Sequence, residues 1–330
     1  MRRPGTPVLV LLLLLPVLLL LHSHTGSAHI SVLTALQDLF HGRSSIASLI
    51  FVEVRLPRSL LAMSVGISLA LSGAALQGLL RNPLASPGLL GVSQSAALMA
   101  VITLYYGFSN LAWFVLPMAA LGGALLSVIV IFILAGRYSS ILSVILLGIA
   151  INAMTGAFTS LALTFAPNPY ALQEIYYWML GSVANRSLNE FYFALPFMLL
   201  GWGLLLHSRR FLDAMTLGED TAQSLGFDTA RQKWLIIVGV ACCTGAAVAV
   251  SGNIAFVGLV VPHLLRPLVQ HEPGRLLWAS ALGGAVLLLL ADITVQGISS
   301  GQELPLGVVT AALGGPFFLF LVYRNRHIYQ

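Results

Sequence analysis

The chain has 330 residues, 58% hydrophobic and only 8% charged, with a formal net charge of +5 and a mean hydropathy of +0.92. Soluble domains carry roughly 25% charged residues, so this chain has too little polar surface to cover itself in water. Its apolar runs are continuous and about 20 residues long, the length that spans a bilayer as a helix, whereas membrane barrels show alternating segments of about 10 residues.

In chain order, apolar runs between polar breaks predict ten spans, near 7–22, 58–80, 91–107, 112–135, 140–164, 191–207, 234–251, 254–269, 276–296 and 305–323. The eighth is short and carries His263 and Arg266. An even count puts both termini on one side. With that side inside, 12 of the 16 basic residues fall inside and 4 outside, as the positive-inside rule requires. The positive charge thus sets topology and does not imply nucleic-acid binding. Arg2-Arg3, the apolar run from Pro7 to Leu21 and Gly26-Ser27-Ala28 suit either a retained first span or a cleavable signal peptide; the even span count favours retention.

His22, His24 and His29 read as an exposed polar connector, with weak metal binding as the other reading. At the outer entrance of the second span, Pro57 suits a helix start and holds Arg55 and Arg58 facing outward. They either steer an acidic partner or snorkel to the interface. Asn82-Pro83 and Ser86-Pro87 mark a tight turn between spans two and three. Ser139, Ser140 and Ser143 at the inner end of span five, with Asn152 and Gln77 inside spans, either line a pathway or bond neighbouring helices.

The longest inside loop, 208–233, has Thr216 and Glu219 at capping-box spacing. Leu217, Ala222 and Leu225 then form a sparse apolar stripe, and Gly226 stops the helix. Such a helix docks into a soluble partner or rests on headgroups. Glu219, Asp220 and Asp228 fit lipid poorly and favour a protein. Cys242 and Cys243, adjacent in an apolar run, read as small buried side chains; a vicinal disulfide is strained and two thiols make a poor metal site.

Some machinery is missing from the sequence. The only lysine, Lys233, sits in Arg-Gln-Lys-Trp, so no P-loop lysine exists. The eleven acids map to loops or helix ends, so no buried ion relay is evident. Asp292 comes nearest the interior and reads as a helix-end acid paired with a neighbour. No catalytic motif, cofactor site or metal site is expected. Energy must then come from a partner, which points to an ABC-type subunit. A stand-alone ion-coupled secondary transporter is the alternative, and a non-transporting scaffold a third reading.

Arg55-Leu56-Pro57-Arg58, Ser72-Gly73, Gln77, Arg81-Asn82-Pro83-Leu84-Ala85-Ser86-Pro87 and Leu90-Gly91 resemble the FecCD-type permeases. So do Leu217-Gly218, Leu225-Gly226, Gly258-Leu259-Val260-Val261-Pro262-His263, Ala291-Asp292, Glu303-Leu304-Pro305-Leu306-Gly307-Val308-Val309-Thr310-Ala311 and Gly315-Pro316. The blocks keep family order over nearly the whole chain beyond residue 50. The resemblance implies an all-α, multi-pass permease of the bacterial cytoplasmic (inner) membrane, with type II ABC importer architecture in a single domain and both termini cytoplasmic. It would carry a ferric siderophore, haem or cobalamin, the iron complexes being the broader part of the family.

The partners implied are a cytoplasmic ABC ATPase dimer, a periplasmic or lipid-anchored solute-binding protein, membrane lipids, and a second copy or close paralogue with the pathway along their interface. Leu217, Gly218, Glu219, Asp220, Ala222, Leu225 and Gly226 would couple to the ATPase, while Arg55 and Arg58 would meet the binding protein. Two positions depart from the family pattern. Gln296 stands where a basic residue is common, a docking contact that Arg186 would have to replace, and Gly91–Ala96 lacks a glycine near Ser95. Ser72-Gly73 and Ser251-Gly252, five spans apart, hint at an inverted repeat.

Overall fold

The computed structural model describes residues 6–26, 30–137, 140–166, 169–298 and 304–324, and every regular element among them is helical. After α1 (Thr6–His24) comes a short amphipathic helix, α2 (Val32–Phe40). Next, α3 (Ile46–Ile50), a π-helical stretch over Phe51–Arg55 and α4 (Leu56–Leu79) join into one helix of 34 residues. α5 (Val92–Tyr105), α6 (Val115–Ala135), α7 (Ile141–Thr164), α8 (Pro169–Met179) and α9 (Leu188–His207) follow. The predicted inner loop holds α10 (Arg209–Met215) and α11 (Glu219–Ser224). α12 (Thr229–Ser251), α13 (Val257–Leu265), α14 (Pro273–Ile298) and α15 (Leu306–Arg324) complete the set.

All ten predicted spans have a helix in the described residues. Seven are long and apolar enough to cross a membrane, and the shorter apolar helices over 92–105, 257–269 and 306–320 stand at predicted spans three, eight and ten. The second span starts twelve residues earlier than predicted, at Ile46 instead of 58. Ser45 and Ser48 cap each other reciprocally there, and the π-helical stretch passes the chain into α4 without a break.

Helices α4 and α14 share the most extensive contact in the molecule. Gly66 and Gly284 face each other so closely that a side-chain carbon on either would overlap the other's carbonyl. Small residues permit this approach where no hydrophobic effect drives helices together. α12 packs against α4, α6 and α9, with Cys242 and Cys243 free and buried as expected.

α13 explains the short eighth span. The chain leaves α12 at Gly252, runs non-helically through 253–256, and resumes as helix at Val257. Gly258 meets Gly73 of α4, six residues before Leu79, or about 9 Å along the helix. α13 therefore begins within the depth of the bundle. Phe256, at φ 65, caps its start, an unusual backbone for a bulky residue.

Candidate functional site

Three places in the bundle gather the polar side chains, and the first is near the C-terminal end of α14. Asp292, six residues before the end of α14, is 1% exposed. Arg58 donates to it twice, Nε to Oδ2 at 2.8 Å and Nη2 to Oδ1 at 3.0 Å. Gln296 Nε2 donates to Oδ2 at 2.8 Å, and His22 Nε2 lies 2.7 Å from the same oxygen. His22 Nδ1 reaches Ser59 Oγ at 2.8 Å, and Arg55 Nη1 donates to the Ser23 carbonyl at 3.0 Å. The two-pronged Arg58–Asp292 geometry is the strong form of an ion pair. It also meets the requirement that a buried charge be partnered.

The pairing expected of Asp292 is present, but three other expectations change here. Arg55 and Arg58 are buried rather than held facing outward, at 5% and 8% exposed, because both guanidiniums find acceptors inside the bundle. His22 is not part of an exposed connector: α1 runs on to His24, which turns His22 inward onto α4 and α14. His24 is exposed and His29 lies outside the described residues. Gln296 takes its place as a donor within the cluster. Arg186, weighed as a substitute contact, is bonded to Glu190 at 2.9 Å.

The second place is a cleft of about 400 Å³, lined by Ser86, Ser93, Gln94, Asn152, Asn253 and Phe256 among others. It opens because α13 starts late, leaving the space beside 253–256 unfilled by helix. Its polar groups are neutral amides and hydroxyls, able to hydrogen-bond a cargo without holding it by charge. Of the predicted pathway residues, Asn152 lines it. Ser140 and Ser143 lie at the start of α7, where Ser140 Oγ accepts the Ser143 N–H at 3.1 Å and caps the helix. Ser139 lies outside the described residues. Gln77 sits near the C-terminal end of α4, donating to the Ala85 carbonyl at 3.3 Å while Arg266 donates to its Oε1. It ties the 82–87 turn and the end of α13 to α4.

The third place is the 208–233 loop. α10 buries Phe211, Leu212, Ala214 and Met215 under the C-terminal end of α4 and the N-terminal end of α14. The expected capping box does not form. Gly218, at φ 107, occupies the cap position of α11, while the Thr216 hydroxyl donates back to the Asp213 carbonyl at 2.7 Å. Glu219 is drawn instead to Lys233 Nζ at 3.2 Å, pinning α11 to α12. Gly226 ends the helix as expected, at φ 91. The apolar stripe divides: Ala222 is buried, whereas Leu217 and Leu225 project outward at 66% and 60% exposed. Asp220 is exposed, and Asp228 caps α12 by accepting the Arg231 N–H at 2.9 Å.

The stretch of chain that carries all three places matches known proteins along nearly its whole length. The FecCD transport family model matches residues 12–324 of the chain. The chain belongs to the FecCD transport family. An ABC transporter permease of Bacillus subtilis named YvrB is 39% identical over 325 residues, covering 94% of this chain and 92% of its own. The vitamin B12 import permease BtuC of Vibrio vulnificus is 37% identical, with 98% and 96% covered. The hemin transport permease HmuU of Yersinia pestis is 40% identical, with 84% of each covered. A solved structure of an ABC transporter of the metal-chelate type, in an inward-facing conformation, aligns with a TM-score of 0.85 and 31% identity, covering 96% of this chain and 98% of that one. This FecCD chain is therefore a multi-pass permease of the ABC importer class, and the stand-alone secondary transporter is set aside.

Proposed function

We propose that this FecCD chain is the membrane subunit of a binding-protein-dependent importer of a metal chelate or corrinoid, powered by ATP hydrolysis in a separate cytoplasmic subunit. The observation that carries the coupling role is the pair of exposed leucines, Leu217 and Leu225, on a loop braced from both sides. A knob on a rigid support fits a groove in a soluble partner, and rigidity lets the knob transmit a push. The reading places both termini and this loop on the cytoplasmic side of a bacterial inner membrane, as the basic-residue distribution suggests.

The cargo path runs past the neutral cleft, with Asn152, Gln94 and Asn253 as its passing contacts. Relatives named for vitamin B12, hemin and ferric citrate bracket the cargo class: a bulky metal-bearing organic complex. A second copy or close paralogue would complete the path against the exposed face of α7. At the outer side, Arg55 and Arg58 serve a solute-binding protein by shaping the entrance, since their charges are engaged within the bundle.

The test is reconstitution with the ATPase and binding protein. Leu217→Asp combined with Leu225→Asp should release the ATPase on co-purification and abolish ATP-driven uptake. Uptake that persists without any ATPase and collapses with the ion gradient would refute the proposal.

A further inference from the structure

α14 begins without a cap of its own. Pro273 has no N–H, and the preceding Glu272 side chain is engaged with Arg275 Nε at 2.6 Å. The Gly274 N–H is therefore the first donor of this 26-residue helix left over at its start. It is taken by a residue 61 positions earlier: Asp213 Oδ1, in α10, accepts it at 2.7 Å. The fit is close. A side-chain carbon on Gly274 would collide with the Asp213 carboxylate. Around this bond Leu212 packs against Gly78 of α4, and the buried side of α10 fills the space beneath both helices.

The inner loop thus has two anchors, Glu219–Lys233 onto α12 and Asp213–Gly274 onto α14. The second leads further. α14 interlocks with α4 at Gly284 and Gly66, and with Val261 and Leu265 of α13 at Gly283. From Gly274 to Asp292 is 18 residues, about 27 Å of helix, and Asp292 holds Arg58 of α4 and His22 of α1. The links at Gly274 and Asp292 are hydrogen bonds, that between Gly66 and Gly284 is backbone to backbone, and the one at Gly283 is made by the Val261 and Leu265 side chains.

We infer that Asp213 is a positioning residue that couples the inner loop to α14, so that displacement of the loop reaches the Arg58–Asp292–His22 cluster at the outer entrance through one rigid helix. This deepens the proposed function and rests on the loop being where the ATPase pushes. Contiguity by itself carries no coupling energy, so the assignment turns on uncoupling variants. Asp213 is solvent-exposed on its other side, which makes its role one of alignment rather than burial.

The experiment uses the full complex in proteoliposomes and reads the ratio of ATP hydrolysis with loaded binding protein to hydrolysis without it. A spin label at the exposed Thr294, near the outer end of α14, reports whether ATP changes the surroundings there. Asp213→Ala should lower the ratio at least about fivefold, the lower edge of ordinary coupling between sites, and silence the label response. Asp213→Asn, whose amide oxygen still accepts the Gly274 N–H, should restore both. Gly274→Ala displaces the carboxylate without removing it and should match Asp213→Ala, so the test survives if that variant fails to assemble. A native ratio and label response in Asp213→Ala or Gly274→Ala would overturn the inference, as would an Asp213→Asn variant as impaired as the alanine. Failure of the underlying reading looks different: Leu217→Asp with Leu225→Asp would leave the ATPase bound and stimulated.

Discussion

Helices α4 and α7 are almost equally hydrophobic and live in opposite surroundings. The helix containing α4 has a mean hydropathy of 1.8 with 83% of its most apolar window buried, whereas α7 has 2.1 and 11%. The difference lies in residue size along the faces. α4 presents Gly66, Ser68, Ala70, Ser72, Gly73 and Ala74 to its neighbours, all buried, and small residues let backbones close in. α7 turns Leu142, Leu146, Ile149, Met154, Phe158 and Leu161 outward. Hydropathy says that a helix enters the membrane; the pattern of small residues says whether it enters the bundle. In this FecCD chain the helices that bind protein form the rigid part, and the exposed one flanks the neutral cleft.

Substitutions on the two sides should separate this difference by size of effect. Removing one member of the buried outer pair, with Arg58→Ala or Asp292→Ala, leaves an uncompensated charge and should cost roughly 3–5 kcal/mol. Thermal unfolding in detergent would show it. The double variant should be less damaged than either single one; equal or greater damage would mean that the pair is not the source of the loss. Next in size, Gly284→Ala forces a methyl into the Gly66 carbonyl and should cost about 1–3 kcal/mol, the usual penalty of overpacking. Gly315→Ala, in open space on α15, is the matched control. Smaller still, Leu146→Ala on the outward face of α7 should change the melting of the isolated chain by no more than about 0.5 kcal/mol. A large loss there would place α7 inside the bundle and erase the contrast.

How much of this was legible in the sequence follows from the range of the forces involved. The apolar helices were readable because a membrane demands about 20 apolar residues in a row, a local requirement that leaves a local mark and that seven of the ten meet in length. The half-span nature of α13 was partly readable, since its run was short and held His263 and Arg266. α2 and α8 were missed because helices of 9 and 11 residues need no such run. The Thr216–Glu219 capping box was misread for an energetic reason: Lys233, 14 residues on, offers Glu219 a charge that outweighs a backbone N–H. The outer cluster could not be assembled beforehand, because His22 and Asp292 are 270 residues apart and no periodicity links them. His22 gave no separate signal, because it opens the polar run His22-Ser23-His24-Thr25 and reads there as part of a connector. Asp213 gave no signal of its own; the sign was at Glu272-Pro273-Gly274, a helix start lacking a cap.

In the proposed function, hydrolysis energy enters this permease at the 208–233 loop. The most direct test of that entry point measures ATP-driven uptake into proteoliposomes holding the chain, its ATPase and its binding protein, for the native chain and for Leu217→Asp with Leu225→Asp. Both leucines are exposed, so the variant should melt within about 0.5 kcal/mol of native. The expected result is a folded permease that no longer retains its ATPase and no longer takes up cargo. A variant that folds, keeps the ATPase and transports at the native rate would contradict it.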